Sequence, residues 1–350
     1  MGTVTLFDFT YHSVLLAARY TRRMARRRQM MMYGVFMWAM LTVLAHAQAI
    51  DGGDVSLTVS PKYPRPGDSV HITVDSVTDG AGSGTVTWVV NGKKSANTSR
   101  AIDVTAGPLG SETAVDAVVD GVGRASTVIR PTELDLLWES DSYVPQAFRG
   151  RALPSAGSML HLEAIPRFKR PDGHLVPLQD IIFTWRKGVS VLQSVSGVGK
   201  SSAIIPSPVL FGSDTISVEA HTTDGTLATE SSVRIASKEP YIVLYQDDPL
   251  LGVTYYRAIG AQEDAHDVEM SLVAVPYYLA SDPRDASLQY DWTLNGAQVP
   301  FNRSQPNRLT IGAEGAKTHE AQVRVSLTSS ANMFLNSSGA GTILFSNVAR

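Results

Sequence analysis

The run Ser196-Gly197-Val198-Gly199-Lys200-Ser201 is the nearest approach to a phosphate-binding loop in this sequence. Such a loop cradles phosphates with backbone N–H groups, and it needs a glycine five residues before Gly199 and a helix after the Lys-Ser pair. Position 194 is Ser194, and Ser202-Ala203-Ile204-Ile205-Pro206 reads as a strand ending at a proline. The run is therefore a loop between strands, and nucleotide binding is rejected. The histidines (His12, His46, His71, His161, His174, His221, His266 and His319) stand singly, without the close spacing of a zinc site. There is no cysteine, which removes disulfides, thiolate metal sites and cysteine nucleophiles together. No Gly-x-Ser-x-Gly elbow supports a serine nucleophile. These residues assign no catalytic, cofactor-binding or metal site, and the chain is expected not to be an enzyme.

Two weaker groups remain. Asp247-Asp248-Pro249, Asp282-Pro283-Arg284-Asp285 and the pair Glu139 and Asp141 offer carboxylates of the kind calcium takes. Aspartate beside proline is also ordinary turn chemistry, which is the preferred reading. Tyr143, Phe148, Phe168, Tyr255, Tyr256, Tyr277 and Tyr278 could stack on sugar rings if two or three shared one exposed surface. The preferred reading has them covering sheet ends and seams between domains. Asn97-Thr98-Ser99, Asn302-Arg303-Ser304 and Asn336-Ser337-Ser338 are formal glycosylation sequons, significant only in a host with that machinery.

The elements that position these residues are short strands. After Ala49 the sequence becomes rich in Val, Thr, Ser, Gly and Ile, in alternating runs broken by Gly, Pro, Asp and Asn. No sustained 3.6-residue period appears, so helix content is expected to be low. Three tryptophans recur in one setting: Thr87-Trp88-Val89-Val90-Asn91-Gly92, Phe183-Thr184-Trp185-Arg186-Lys187-Gly188 and Tyr290-Asp291-Trp292-Thr293-Leu294-Asn295-Gly296. Asn-Gly is a strong hairpin signal because both positions tolerate positive φ. Alternating runs precede each tryptophan (Val70 to Val74, Leu160 to Ile165, Met270 to Val275) and follow it (Ala114 to Val119, Thr215 to Ala220, Ala321 to Leu327).

The second and third units match further. Leu162-Glu163-Ala164-Ile165-Pro166 parallels Leu272-Val273-Ala274-Val275-Pro276, and Leu136-Leu137-Trp138-Glu139-Ser140-Asp141 parallels Val243-Leu244-Tyr245-Gln246-Asp247-Asp248. Arg151-Ala152-Leu153 answers Arg257-Ala258-Ile259. A repeat of about 100 residues is one domain rather than a solenoid unit. Boundaries near Pro131 and Pro240 divide the body into residues 50–131, 132–239 and 240–350, with short connections that limit hinge motion. Trp88, Trp185 and Trp292 are expected in the cores, and Trp138 either in its unit's core or at the junction with the first unit.

The W-x-x-N-G pattern with flanking alternating strands resembles the Ig-like and PKD-like domains of bacterial surface proteins. Units two and three resemble tandem domains of envelope proteins of small-genome bacteria. The resemblance spans roughly residues 52–350 and implies an all-β fold of tandem immunoglobulin-like sandwiches. The departures are the missing cysteine pair and Lys187-Gly188 in place of Asn-Gly.

Residues 1–49 read as an address. Arg22, Arg23, Arg26, Arg27 and Arg28 precede the apolar run Met30 to Ala45, and Ala45-His46-Ala47 and Ala47-Gln48-Ala49 offer small-residue exits. That is the pattern of a signal peptide, or of an uncleaved N-terminal membrane anchor, and either places the body outside the cytoplasm. The formal net charge is −3; six of the 30 Lys and Arg and one of the 33 acids lie in residues 1–49, so the body carries about −8. A body of that sign without a basic stripe argues against a nucleic-acid partner. The expectation is an exported, non-catalytic envelope or surface protein with a structural or adhesive role, in a pilus or secretion apparatus for example. Its expected partner is another envelope or surface protein, with a glycan as the alternative. No cofactor is implied, and a membrane enters only through an uncleaved N-terminal segment.

Overall fold

The computed structural model describes residues 55–76, 85–265, 268–313 and 320–345, and the leader assigned to residues 1–49 lies outside them. The described residues are all-β in their architecture, with a short 3-10 turn at Leu178–Asp180 between strands. They divide into two compact units. One contains residues 55–58, 73–76, 85–102 and 114–127; the other contains Val59–Ile72, Asp103–Thr113 and the described residues from Val128 onward.

The first seven strands are β1 (Val55–Ser60), β2 (Ser69–Ser76), β3 (Val86–Val90), β4 (Lys93–Lys94), β5 (Ala101–Thr105), β6 (Thr113–Val119) and β7 (Gly123–Ile129). They form sheets of order β1-β2-β5 and β4-β3-β6-β7. Burial alternates strictly along β6, as a strand with one covered face requires.

The next eight are β8 (Glu133–Ser140), β9 (Met159–Arg167), β10 (Ile181–Lys187), β11 (Ser190–Val191), β12 (Gly197–Val198), β13 (Ser202–Pro206), β14 (Ser213–Thr222) and β15 (Ala228–Ala236). Their sheets run β8-β9-β13 and β11-β10-β14-β15, with the short β12 also on β10. One core joins the two sheets, built on Leu160, Leu162, Phe183, Trp185, Ile216 and Val218. That makes a sandwich.

The last nine are β16 (Tyr241–Asp248), β17 (Gly252–Ala258), β18 (Glu263–Ala265), β19 (Glu269–Tyr277), β20 (Leu288–Leu294), β21 (Ala297–Gln298), β22 (Arg308–Gly312), β23 (Glu320–Ser329) and β24 (Asn336–Phe345). Sheets β17-β16-β19-β22 and β18-β24-β23-β20-β21 enclose a second core around Leu244, Leu272, Tyr290, Trp292, Val325 and Ile343. Two strands are added to the common order here. β17 pairs antiparallel with β16, and β18 pairs parallel with β24. Gly341 makes room for this addition, since a Cβ there would lie 2.7 Å from the Ile259 Cγ2.

Register corrects one sequence parallel. Leu136 pairs with Ala164 and Leu244 pairs with Ala274, so Leu136 corresponds to Leu244 rather than to Val243. The offset is one residue, which exchanges inward and outward positions. Leu137, not Trp138, therefore stands where Tyr245 stands. Trp138 packs half-buried against the core of its own sandwich, with the Arg151 guanidinium 4.4 Å above its ring.

Candidate functional site: the loops around residues 141–158

Trp88, Trp185 and Trp292 are fully buried. Each indole N–H donates to a backbone carbonyl further along the chain: Ser99 at 2.8 Å, Lys200 at 3.0 Å and Pro306 at 2.9 Å. A buried indole N–H without a partner would be costly, so the segment after each hairpin is shaped to supply one. Asn91-Gly92 and Asn295-Gly296 both have positive φ at each residue, the I′ arrangement. At the equivalent place Gly188 alone has positive φ and Val189 follows, as in a II′ turn, which accounts for the missing Asn-Gly.

The phosphate-loop-like run is occupied by the fold. The Ser196 hydroxyl accepts from the Trp185 backbone N–H at 2.9 Å and donates to the Leu192 carbonyl at 2.8 Å. Lys200 Nζ donates to the Ser194 carbonyl, and Ser201 Oγ donates to Glu163, both at 2.8 Å. A strand, β13, follows it rather than a helix.

The acidic loops hold their own turns. Asp248 Oδ1 accepts from the N–H groups of Leu250 and Leu251, Asp282 Oδ1 from Arg284, and Asp141 Oδ1 from Met159. Asp285 is held below the usual carboxylate range by the backbone and hydroxyl of Ser287. Asp247 pairs with Arg308.

The candidate aromatics do not share one exposed surface. Phe168 is in the middle core. Tyr245, Tyr277 and Tyr278, with Val273 and Val275, form a separate buried cluster on the outer face of the β17-β16-β19-β22 sheet. Val144, Phe148 and Leu153, from the loop between β8 and β9, pack onto it. Phe148 meets Tyr277 and Tyr278 edge-on, with centroids 5.7 and 6.0 Å away. The Tyr245 and Tyr277 hydroxyls are 2.7 Å apart, and Tyr241 stacks on Tyr277 at 5.0 Å. Burial pushes the Tyr277 phenol well above its ordinary pKa. Tyr255 leans on Tyr245, and only Tyr256 is largely exposed, at 83%. The tyrosines thus cover a seam, and Tyr143 and Phe148 were the sequence signal in the loop that reaches them, though not for the face it reaches.

That loop also anchors two others. Ser158 Oγ lies 2.7 Å from Ser207 Oγ, and the Ser158 carbonyl accepts the Ser207 N–H at 3.0 Å. Asn332 Nδ2 donates to the Ala156 carbonyl at 3.1 Å. The β13–β14 loop that starts at Ser207 exposes Val209 and Phe211, and the β23–β24 loop around Asn332 exposes Met333 and Phe334. Phe211 has φ of 60°, a costly conformation for a bulky residue. The two loops that carry these exposed apolar tips, one from each sandwich, are therefore each bonded to residues 156–158, through Ser207 and Asn332. In the last sandwich a groove of about 710 Å³ is lined by Arg284, Asp285, Gln289, Asp291, Arg303 and Asn307 among others.

No protein-family model matches the sequence, and no curated protein matches it. Among solved structures, the chain is similar to the three N-terminal domains of the bacteriophage RB49 Highly Immunogenic Outer Capsid protein (Hoc). Identity there is 15%, covering 85% of this chain and 100% of that one at a TM-score of 0.26. It is similar to the central fibronectin-III array of RIM-binding protein, at 12% identity, 86% and 100% coverage and a TM-score of 0.30. It is also similar to the Bacteroides ovatus mixed-linkage glucan utilization locus SGBP-B, solved with a mixed-linkage heptasaccharide, at 11% identity, 83% and 70% coverage and a TM-score of 0.22. The fold itself rests on the strand orders and cores above. The chain is a tandem array of immunoglobulin-like β-sandwiches.

Proposed function

We propose that this chain is an exported, non-catalytic interaction module of three domains, bounded near Pro131 and Pro240, and that it binds another envelope or surface protein. The observation that carries this reading is the pair of apolar tips, Val209 with Phe211 and Met333 with Phe334, held on residues 156–158. Exposed apolar side chains held in place by a rigid scaffold are the usual material of a protein interface. The groups that first suggested chemistry, from Ser196 to Asp285, are engaged in turns and in tryptophan support.

The test compares the full chain with its Phe211→Ser, Phe334→Ser double variant in capture from the host's envelope extract. Unchanged near-UV circular dichroism with loss of one reproducible protein partner supports the reading. Equal capture by both forms sinks it. The polar groove beside Arg284 and Asp291 favours a second reading, a carbohydrate-binding module. On that reading a glycan array gives a hit that Asp291→Ala and Arg303→Ala remove and the double Phe variant keeps.

A further inference from the structure

Residues 141–158 touch the last sandwich near their start, in their middle and near their end. At the start, the Tyr143 N–H donates to the Leu279 carbonyl and the Tyr278 N–H donates to the Tyr143 carbonyl, both at 2.7 Å. These two bonds form an isolated antiparallel bridge between the two sandwiches. In the middle, Phe148 stands between Tyr277 and Tyr278. Near the end, Ala156 takes the Asn332 bond, and Lys238 donates its N–H to Pro154 at 2.7 Å where the chain passes from β15 to β16. The loop also closes on itself, with Ser142 Oγ donating to the Leu153 carbonyl at 2.6 Å.

The tyrosine face that receives it belongs to the last sandwich. At the matching outward positions of the middle sandwich, Leu137, Glu163, Ile165 and Arg167 stand in place of Tyr245, Val273, Val275 and Tyr277. Two of those four are charged, while all four in the last sandwich are apolar or aromatic. The difference fits a face built to be covered.

We propose that residues 141–158 are a strap that locks the middle and last sandwiches into one cooperative unit, so that neither the tyrosine face nor the junction opens separately. The strap rests on its own contacts. Its consequence for binding rests on the reading above: residues 156–158 bond to both apolar loops, so releasing the strap frees both from that anchor.

Amide hydrogen exchange on the full chain tests this directly. Tyr143 and Tyr278 lie outside long ladders or at their ends, and a loose loop would let both exchange at nearly unprotected rates. The lock predicts that both exchange within about 10-fold of the Leu272 and Ala274 amides in β19. Phe148→Ala is expected to speed both by about 100-fold or more while the amides of β14 keep their protection. Gly157→Ala provides an independent route, because Gly157 has φ of 95° and a Cβ there would meet Asn332 Nδ2 at 2.8 Å. Fast exchange at both amides in the wild-type chain overturns the strap, as does unchanged protection in both variants. Partner capture is read in parallel. Loss of protection with full capture retained leaves the strap standing and removes its link to binding.

Discussion

Tyr290 carries a hydroxyl that works against the fold. Its side chain lies in the last core, 2% exposed, and its Oη has no hydrogen-bond partner among the described residues. Burial pushes its pKa up to about 12. The folded state therefore holds this proton at pH values where an unfolded tyrosine, titrating near 10, has lost it. Stability from this group is complete below pH 10 and falls as pH rises towards 12, by roughly 2–3 kcal/mol in all. Tyr290→Phe is expected to reduce that alkaline loss and to leave neutral stability equal or higher by roughly 1 kcal/mol. Urea midpoints at about pH 8 and about pH 11 decide it, and a variant that loses as much as wild type shows the hydroxyl is hydrated. The tryptophans behave oppositely, because each has both a full core and an acceptor. Trp185→Ala should cost about 3–5 kcal/mol in the same urea assay. Residue type and spacing made the tryptophans legible in the sequence. Their acceptors were not, since a backbone carbonyl on Ser99, Lys200 or Pro306 leaves no mark on residue identity.

At the scale of elements, one small residue separates the two sandwiches. Val218 opposes Trp185 and Val325 opposes Trp292, so the ladders place Val233 of β15 where β24 has Gly341. Val233 packs against the middle core itself. Gly341 leaves a gap that Ile259 enters, and β17 and β18 flank that entry. This explains why Arg151-Ala152-Leu153 and Arg257-Ala258-Ile259, so alike in sequence, take different routes. Leu153 goes to the tyrosine face and Ile259 into its own core. Gly341→Ala should destabilise the last sandwich by about 1–3 kcal/mol through the clash with Ile259. Combining it with Ile259→Ala should recover part of that loss, giving a coupling of at least about 0.5 kcal/mol in a double-mutant cycle. Additive losses would mean that the two residues do not meet. The strands themselves were legible from alternation and hairpin glycines. The strap was not, because a loop's destination depends on the face that receives it, and that face is built from β16 and β19, strands of the next sandwich far downstream.

On the scale of the whole molecule, charge and apolar exposure point to different partners, and salt separates them. The body carries about −8, which disfavours nucleic acid and anionic lipid surfaces. The exposed tips at Val209, Phe211, Met333 and Phe334 carry no charge, and neither do Leu250 and Leu251 in the β16–β17 hairpin, 93% and 74% exposed. Leu250 and Leu251 are held through their backbones by Asp248, so replacing both with serine should change stability by no more than about 0.5 kcal/mol. An interface of such residues gains its free energy from apolar burial, which added salt does not screen. Partner affinity measured at about 0.1 M and about 0.5 M salt should therefore change by less than about 3-fold. A loss of about 10-fold or more would move the binding surface to the charged outer faces, such as Glu133, Asp135 and Arg167 on β8 and β9. In that event the apolar tips would belong to assembly between copies of this chain, and the Phe211→Ser, Phe334→Ser variant would change its oligomeric state while keeping its partner.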